Sequence, residues 1–134
     1  MPRFAIQALK IRELEEAWPI VRSSGSHANV DWWIANGDEI ISDGGGVLVA
    51  RAPDGRIHGV ATFKVPLNET KERVVTVPML ITFELSRNAP ARSALLHALK
   101  RIATKQHCTH IILPTAAKCD PLAEHLRAPA HYAS

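Results

Sequence analysis

The stretch Leu80-Ile81-Thr82-Phe83-Glu84-Leu85-Ser86-Arg87-Asn88-Ala89-Pro90-Ala91-Arg92-Ser93-Ala94-Leu95-Leu96 decides how the rest of the chain is read. An apolar strand ends in a short polar turn, and an amphipathic helix starts at once. Such a junction points several backbone N–H groups, and the positive end of the helix dipole, into one small space. That space suits a phosphate or another anion. Glycine, which phosphate-cradling loops use for close backbone approach, is absent from Leu80 to Leu96.

Working outward, Ala91 to Gln106 reads as a helix. Ala94, Leu95, Ala98, Leu99 and Ile102 form an apolar stripe, and Arg92, Lys100, Arg101 and Lys105 mark the wet side. Pro90 fits the first helical turn, where no N–H is needed. Ile111 to Leu113 is a buried strand, and Arg73 to Leu85 is a long one. Pro78 cannot donate to a ladder, so it predicts a bulge or a local edge. The unit from Arg73 to Pro114 is strand, helix, strand. It implies a right-handed crossover and a parallel pair inside a mixed sheet.

Upstream, Phe4 to Leu9 alternates as a short strand. Ile11 to Ser23 has helical spacing, with Pro19 predicting a kink or an early stop. Asn29 or Asp31 caps a second short helix holding Trp32, Trp33 and Ile34, which Gly37 is expected to end. Asp38, Glu39 and Asp43 then form a small acidic group in the following loop. Val47 to Ala50 and Ile57 to Val65 form a hairpin around Pro53-Asp54-Gly55. There Pro fixes φ, Asp bonds its own backbone and Gly accepts positive φ. Downstream, Asp120 and Pro121 begin a last helix running to about Arg127. The fold class is α/β: one domain, residues 1–134, with a mixed, mostly antiparallel sheet and one parallel crossover.

Composition narrows the function. The chain has 134 residues and a net charge of +3, with no run of Lys or Arg. No apolar stretch reaches the roughly 18 residues that span a bilayer. The start, Met1-Pro2-Arg3-Phe4, has no apolar secretory core, so the expected compartment is the cytoplasm. Cys108 and Cys119 are then free thiols. His107, Cys108, His110, Cys119 and His125 do not show zinc-ligand spacing, so no metal is expected.

The order of elements, with an anion-type turn before the third helix, resembles the GNAT superfamily of N-acetyltransferases from about Phe4 to Tyr132. The family's acyl-coenzyme A turn reads R/Q-x-x-G-x-G/A. In that register Arg87-Asn88-Ala89-Pro90-Ala91-Arg92 precedes Ser93-Ala94-Leu95-Leu96. Arg87 matches, while Pro90 and Arg92 stand where small residues belong. Pro90 removes an N–H, and Arg92 either blocks the pyrophosphate or grips it with its guanidinium. Near the other end Arg127 stands at the family's acid Tyr, and His131-Tyr132 at its Gly-Phe. The short remaining chain leaves an edge that a second copy can cover, which implies a homodimer.

The resemblance implies acetyl transfer from acetyl-CoA, as co-substrate, to a primary amine on a small molecule or peptide. It assigns Thr82, Phe83, Arg87, Asn88, Ala89, Ala91, Arg92 and Ser93 to the cofactor. Glu84 is a base or a solvated strand-end residue. His125 is the candidate acid or thiolate partner, since His titrates near neutral pH. His58 lines the substrate face or points to water. One of Trp32 and Trp33 packs in the core while the other covers the acceptor cleft. The rival reading is a catalytically silent relative that binds a small molecule or a protein. A nucleic-acid module is disfavoured, because Arg92, Lys100, Arg101 and Lys105 do not share one tight helix face.

Overall fold

Pro53-Asp54-Gly55 turns as its residue types dictate. Asp54 Oδ1 accepts the Arg56 N–H at 2.9 Å, and Gly55 takes φ +90°, a left-handed value that glycine tolerates without Cβ strain. The flanking strands pair antiparallel from this turn. The computed structural model describes residues 4–23, 29–65, 74–84 and 88–114. In chain order these form β1 (Ala5–Ala8), a 3₁₀ helix (Ile11–Ala17), α1 (Trp18–Arg22), α2 (Val30–Ser42), β2 (Gly46–Arg51), β3 (Ile57–Lys64), β4 (Val74–Thr82), α3 (Pro90–Lys105) and β5 (His110–Ile112). The helix expected from Asp120 lies outside the described residues.

The sheet runs in the order β1-β2-β3-β4-β5. Among the described residues only β4 and β5 are parallel, joined over Val74–Thr76 and His110–Ile112 by the α3 crossover. Beyond Thr76, β4 continues to Thr82 with no partner on that side among the described residues. Pro78 sits in that stretch, at the expected irregularity: Lys64 pairs with Thr76 and Thr62 with Met79. Phe63 therefore faces two residues, Val77 and Pro78, and the proline ring needs no ladder hydrogen bond.

Alternation along the strands divides the interior in two. Leu48, Ala50, Ala61, Phe63, Val75 and Val77 meet Leu95 and Leu99 of α3 on one face. Val47, Val49 and Val60 meet Leu14, Val21 and Trp33 on the other. The two layers differ in charge as well as position. α2 carries Asp31, Asp38 and Glu39 and no Lys or Arg. α3 carries Arg92, Lys100, Arg101 and Lys105 and no Asp or Glu.

Three expectations for the N-terminal half need correction. Gly37 does not end α2, which runs on to Ser42. Gly37 is buried, and a Cβ there would lie 2.8 Å from both Leu14 methyls. The glycine lets the 3₁₀ helix seat Leu14 against α2, and this packing outweighs its poor helix propensity. Asp38 and Glu39 consequently belong to α2 and not to a loop; the chain turns instead at Asp43 and Gly44, with Gly44 at φ +94°. The region from Ile11 begins as a 3₁₀ helix and becomes α-helical at Trp18, so the break precedes Pro19, which occupies the first turn of α1. Asn29, not Asp31, is the cap of α2: its side chain accepts the Trp32 N–H at 2.8 Å.

Thr62 is fully buried on β3, and its hydroxyl has no hydrogen-bond partner among the described residues. A buried unpaired hydroxyl costs about 1–3 kcal/mol. Thr62→Val keeps the shape and removes the polar atom. It is expected to raise unfolding free energy by about 1 kcal/mol, read as a higher urea midpoint at unchanged slope.

Candidate functional site

A helix start leaves its first backbone N–H groups without intrahelical acceptors. In α3 those from the first residue onward are assigned. Pro90, the first residue, has no N–H. The Ala91 N–H donates to Glu84 Oε1 at 2.6 Å, and the Arg92 N–H donates to Glu84 Oε2 at 3.2 Å. The Ser93 N–H already reaches the Ala89 carbonyl at 2.9 Å. One carboxylate thus straddles two successive amides at the positive end of the helix, an arrangement that dipole and hydrogen bonding both favour.

Local sequence explains why the cap comes from a distance. The N-cap residue is Ala89, which has no side-chain acceptor, and its backbone is left-handed at φ 43°, ψ 59°. Ser, Thr, Asp or Asn would ordinarily cap from that position. Glu84 does so from just past the end of β4. The left-handed Ala89, unusual for a residue with a Cβ, redirects the chain so that α3 begins over that carboxylate.

The other residues proposed for the cofactor divide by environment. Ala91 is buried, Arg92 is partly buried, and Asn88 and Ser93 are exposed at the turn. Thr82 turns toward α3: its methyl, with Leu95, comes within 2.9 Å of the point a Gly59 Cβ would occupy. The Phe83 N–H donates to the His58 carbonyl at 2.8 Å, which continues the β3–β4 ladder, while the Phe83 ring is 58% exposed. Thr82, Phe83, Glu84 and the start of α3 are therefore gathered at one end of the sheet. Arg87, His125, Cys119, His131 and Tyr132 lie outside the described residues.

The paired tryptophans separate as helical geometry requires. Trp33 is fully buried, and its Nε1–H donates to the Leu14 carbonyl at 2.6 Å; Trp32 is 43% exposed. The His58 ring lies against Phe4, with centroids 5.2 Å apart. Cys108 is buried, its thiol 3.8 Å from the Gln106 carbonyl. Among the described residues no three His, Cys, Asp or Glu side chains gather as a metal site, and no helix is long and apolar enough to cross a membrane.

Sequence reasoning recognised the anion-seeking amides but missed their occupant. The available signal was the bare N-cap at Ala89 beside a carboxylate a few residues upstream.

No family model and no curated protein matches the chain. Solved structures do. The aminoglycoside N-acetyltransferase AAC(6′)-Iy, in complex with coenzyme A, superposes with a TM-score of 0.75 at 18% identity, covering 94% of this chain and 88% of that one. The ribosomal-protein-alanine N-acetyltransferase of Brucella melitensis biovar Abortus 2308 gives 0.71 at 22% identity, covering 94% and 92%. An acetyltransferase of Trypanosoma brucei gives 0.70 at 20% identity, covering 92% and 90%. The chain has the GNAT-like acyl-CoA N-acyltransferase fold, at the level of architecture that such identities carry.

The Glu84 cap is open to direct measurement. Glu84→Ala is expected to lower unfolding free energy by about 1–2 kcal/mol, the usual worth of a helix cap. Glu84→Gln should fall between this variant and the parent, because the amide offers one acceptor oxygen where the carboxylate offers two. Chemical denaturation of the three proteins checks the order.

Proposed function

We propose that this domain is a catalytically silent relative of the GNAT N-acetyltransferases, one that keeps the scaffold as a binding or regulatory module. The observation behind this reading is the seat of Glu84. The amides of Ala91 and Arg92 are those that the GNAT resemblance assigns to the acyl-coenzyme A pyrophosphate, and both hold the chain's own carboxylate. Pro90 contributes no donor to the same turn. The Phe83 N–H, which the resemblance turns toward the thioester, is engaged by β3. A pyrophosphate entering this turn meets a negative charge already in place and has to displace two charge-assisted hydrogen bonds.

Acetyl transfer is the second reading, favoured by likeness over nine-tenths of the chain to N-acetyltransferases, one of them a coenzyme A complex. In that case acetyl-CoA displaces Glu84, and the amine of a small molecule or peptide attacks the thioester carbonyl and gives up its proton to a base. The C–S bond breaks to release the coenzyme A thiolate, which takes a proton from an acid. Glu84, released from its cap, is the proposed base, and His125 the proposed acid or thiolate partner.

A titration of acetyl-CoA separates the two. A working site with a dissociation constant of about 10 μM would, at about 1 mM ligand, stabilise the folded state by roughly 2.7 kcal/mol, several degrees of melting temperature. The silent reading expects no shift in the parent protein and no thiol release from acetyl-CoA with a panel of primary amines. A clear shift in the parent, or amine-dependent thiol release, would replace it with the transferase reading. Glu84→Ala, with both amides freed, is expected to respond to the ligand more strongly than the parent.

A further inference from the structure

The opposite edge of the sheet carries a separate surface. β1 is the outermost strand, and no strand lies beyond it among the described residues. The β1–β2 register and the bond from the Leu9 N–H to the Val47 carbonyl turn Ala5, Gln7 and Leu9 toward β2. In an antiparallel ladder the alternate residues, Ile6 and Ala8, then present their N–H and C=O groups outward. The strand reads Ala-Ile-Gln-Ala. It has none of the Lys, Pro or inward charge that usually guards an edge against pairing.

Beside this edge, β1 and α3 bound a groove of about 620 Å³. Ile6, Ala98 and Ile102 give it an apolar floor, and His97, Arg101 and Lys105 stand around it. α3 has no carboxylate to balance Arg101 and Lys105. Glu16, on the 3₁₀ helix that covers the opposite face, is paired with Arg51 at 3.1 Å.

We propose that the β1–α3 groove docks an extended acidic peptide segment of a partner protein, which adds as a strand to the β1 edge and sets its carboxylates over Arg101 and Lys105. Each part of the surface meets a part of such a ligand. The outward N–H and C=O groups of Ile6 and Ala8 match a peptide backbone. The aliphatic stems of the acidic side chains cross the apolar floor, since a strand sets alternate side chains on one face and the residues between them turn to the other. Arg101 and Lys105, on a helix without a carboxylate, select negative charge and speed encounter. A nucleic acid fits less well: among the described residues no Phe, Tyr or Trp lines the groove to stack a base, and its backbone cannot pair with a strand edge.

The test is fluorescence anisotropy with a short labelled peptide alternating Glu and Thr, beside its Lys-for-Glu counterpart and labelled single- and double-stranded DNA. The acidic peptide is expected to bind and the basic one not to bind. Arg101→Glu with Lys105→Glu, both at exposed positions, should weaken binding by about tenfold or more. Ala8→Pro removes one outward N–H and leaves the β2 ladder intact; it should weaken binding too, with circular dichroism confirming the fold. In the parent complex the Ile6 and Ala8 amides should exchange more slowly. Failure of the acidic peptide to bind would overturn the proposal. So would tighter binding of DNA, unchanged exchange at Ile6 and Ala8, or a salt-sensitive self-association that blocks the peptide and identifies the occupant as a second copy.

Discussion

The start of α3 depends on a carboxylate. A helix whose first residue is proline and whose N-cap is alanine has no local means of satisfying its next two amides, and those amides sit at the positive end of a helix of 16 residues. Glu84 supplies both acceptors across the turn. The contact also joins the end of β4 to the start of the crossover helix, and so fixes how α3 enters the layer that buries Leu95 and Leu99. In the same stroke it places a carboxylate on amides at the positive end of the helix. Structure and proposed function thus meet in a single side chain: the feature that allows a glycine-free turn to begin a helix is the feature on which the silent reading rests.

Features legible in the sequence were those whose chemistry is local. The Asp54-Gly55 turn needs only its own residues, and Asn29 caps α2 through a side chain three positions before the amide it accepts. Pro78 announces a ladder defect wherever its strand lies. The crossover followed from an apolar run, a long amphipathic helix and a second apolar run, which together leave few topologies. The end of α2 was illegible for the opposite reason. Gly37 breaks helices by propensity, but Leu14, far away in sequence, requires the close approach that only glycine permits.

The site was half legible. That amides would converge near residues 88–93 follows from strand, turn and helix in succession. That Glu84 would occupy them does not, because the contact depends on the left-handed bend at Ala89, a conformation that residue type gives no reason to expect. The likeness to N-acetyltransferases informs the scaffold more than the chemistry. Fold likeness near 20% identity gives the scaffold alone, whereas the hydrogen bonds of Glu84 say what the first amides of α3 hold in this chain.

The separation of charge follows from the same architecture. Each helical layer buries one face of a five-stranded sheet, and the buried faces are apolar on both sides. Packing therefore does not constrain which sign the outer surfaces carry. α2 nevertheless bears only acids and α3 only bases, an arrangement that gives up the attraction interspersed signs would provide along each helix. The cost is a few tenths of a kcal/mol for each forgone pair, small beside the burial of Trp33, Leu95 and Leu99. A fold held by its two apolar layers can thus carry a one-signed helix beside an unguarded strand edge, and the strength of its surface field is set without reference to the stability of its core.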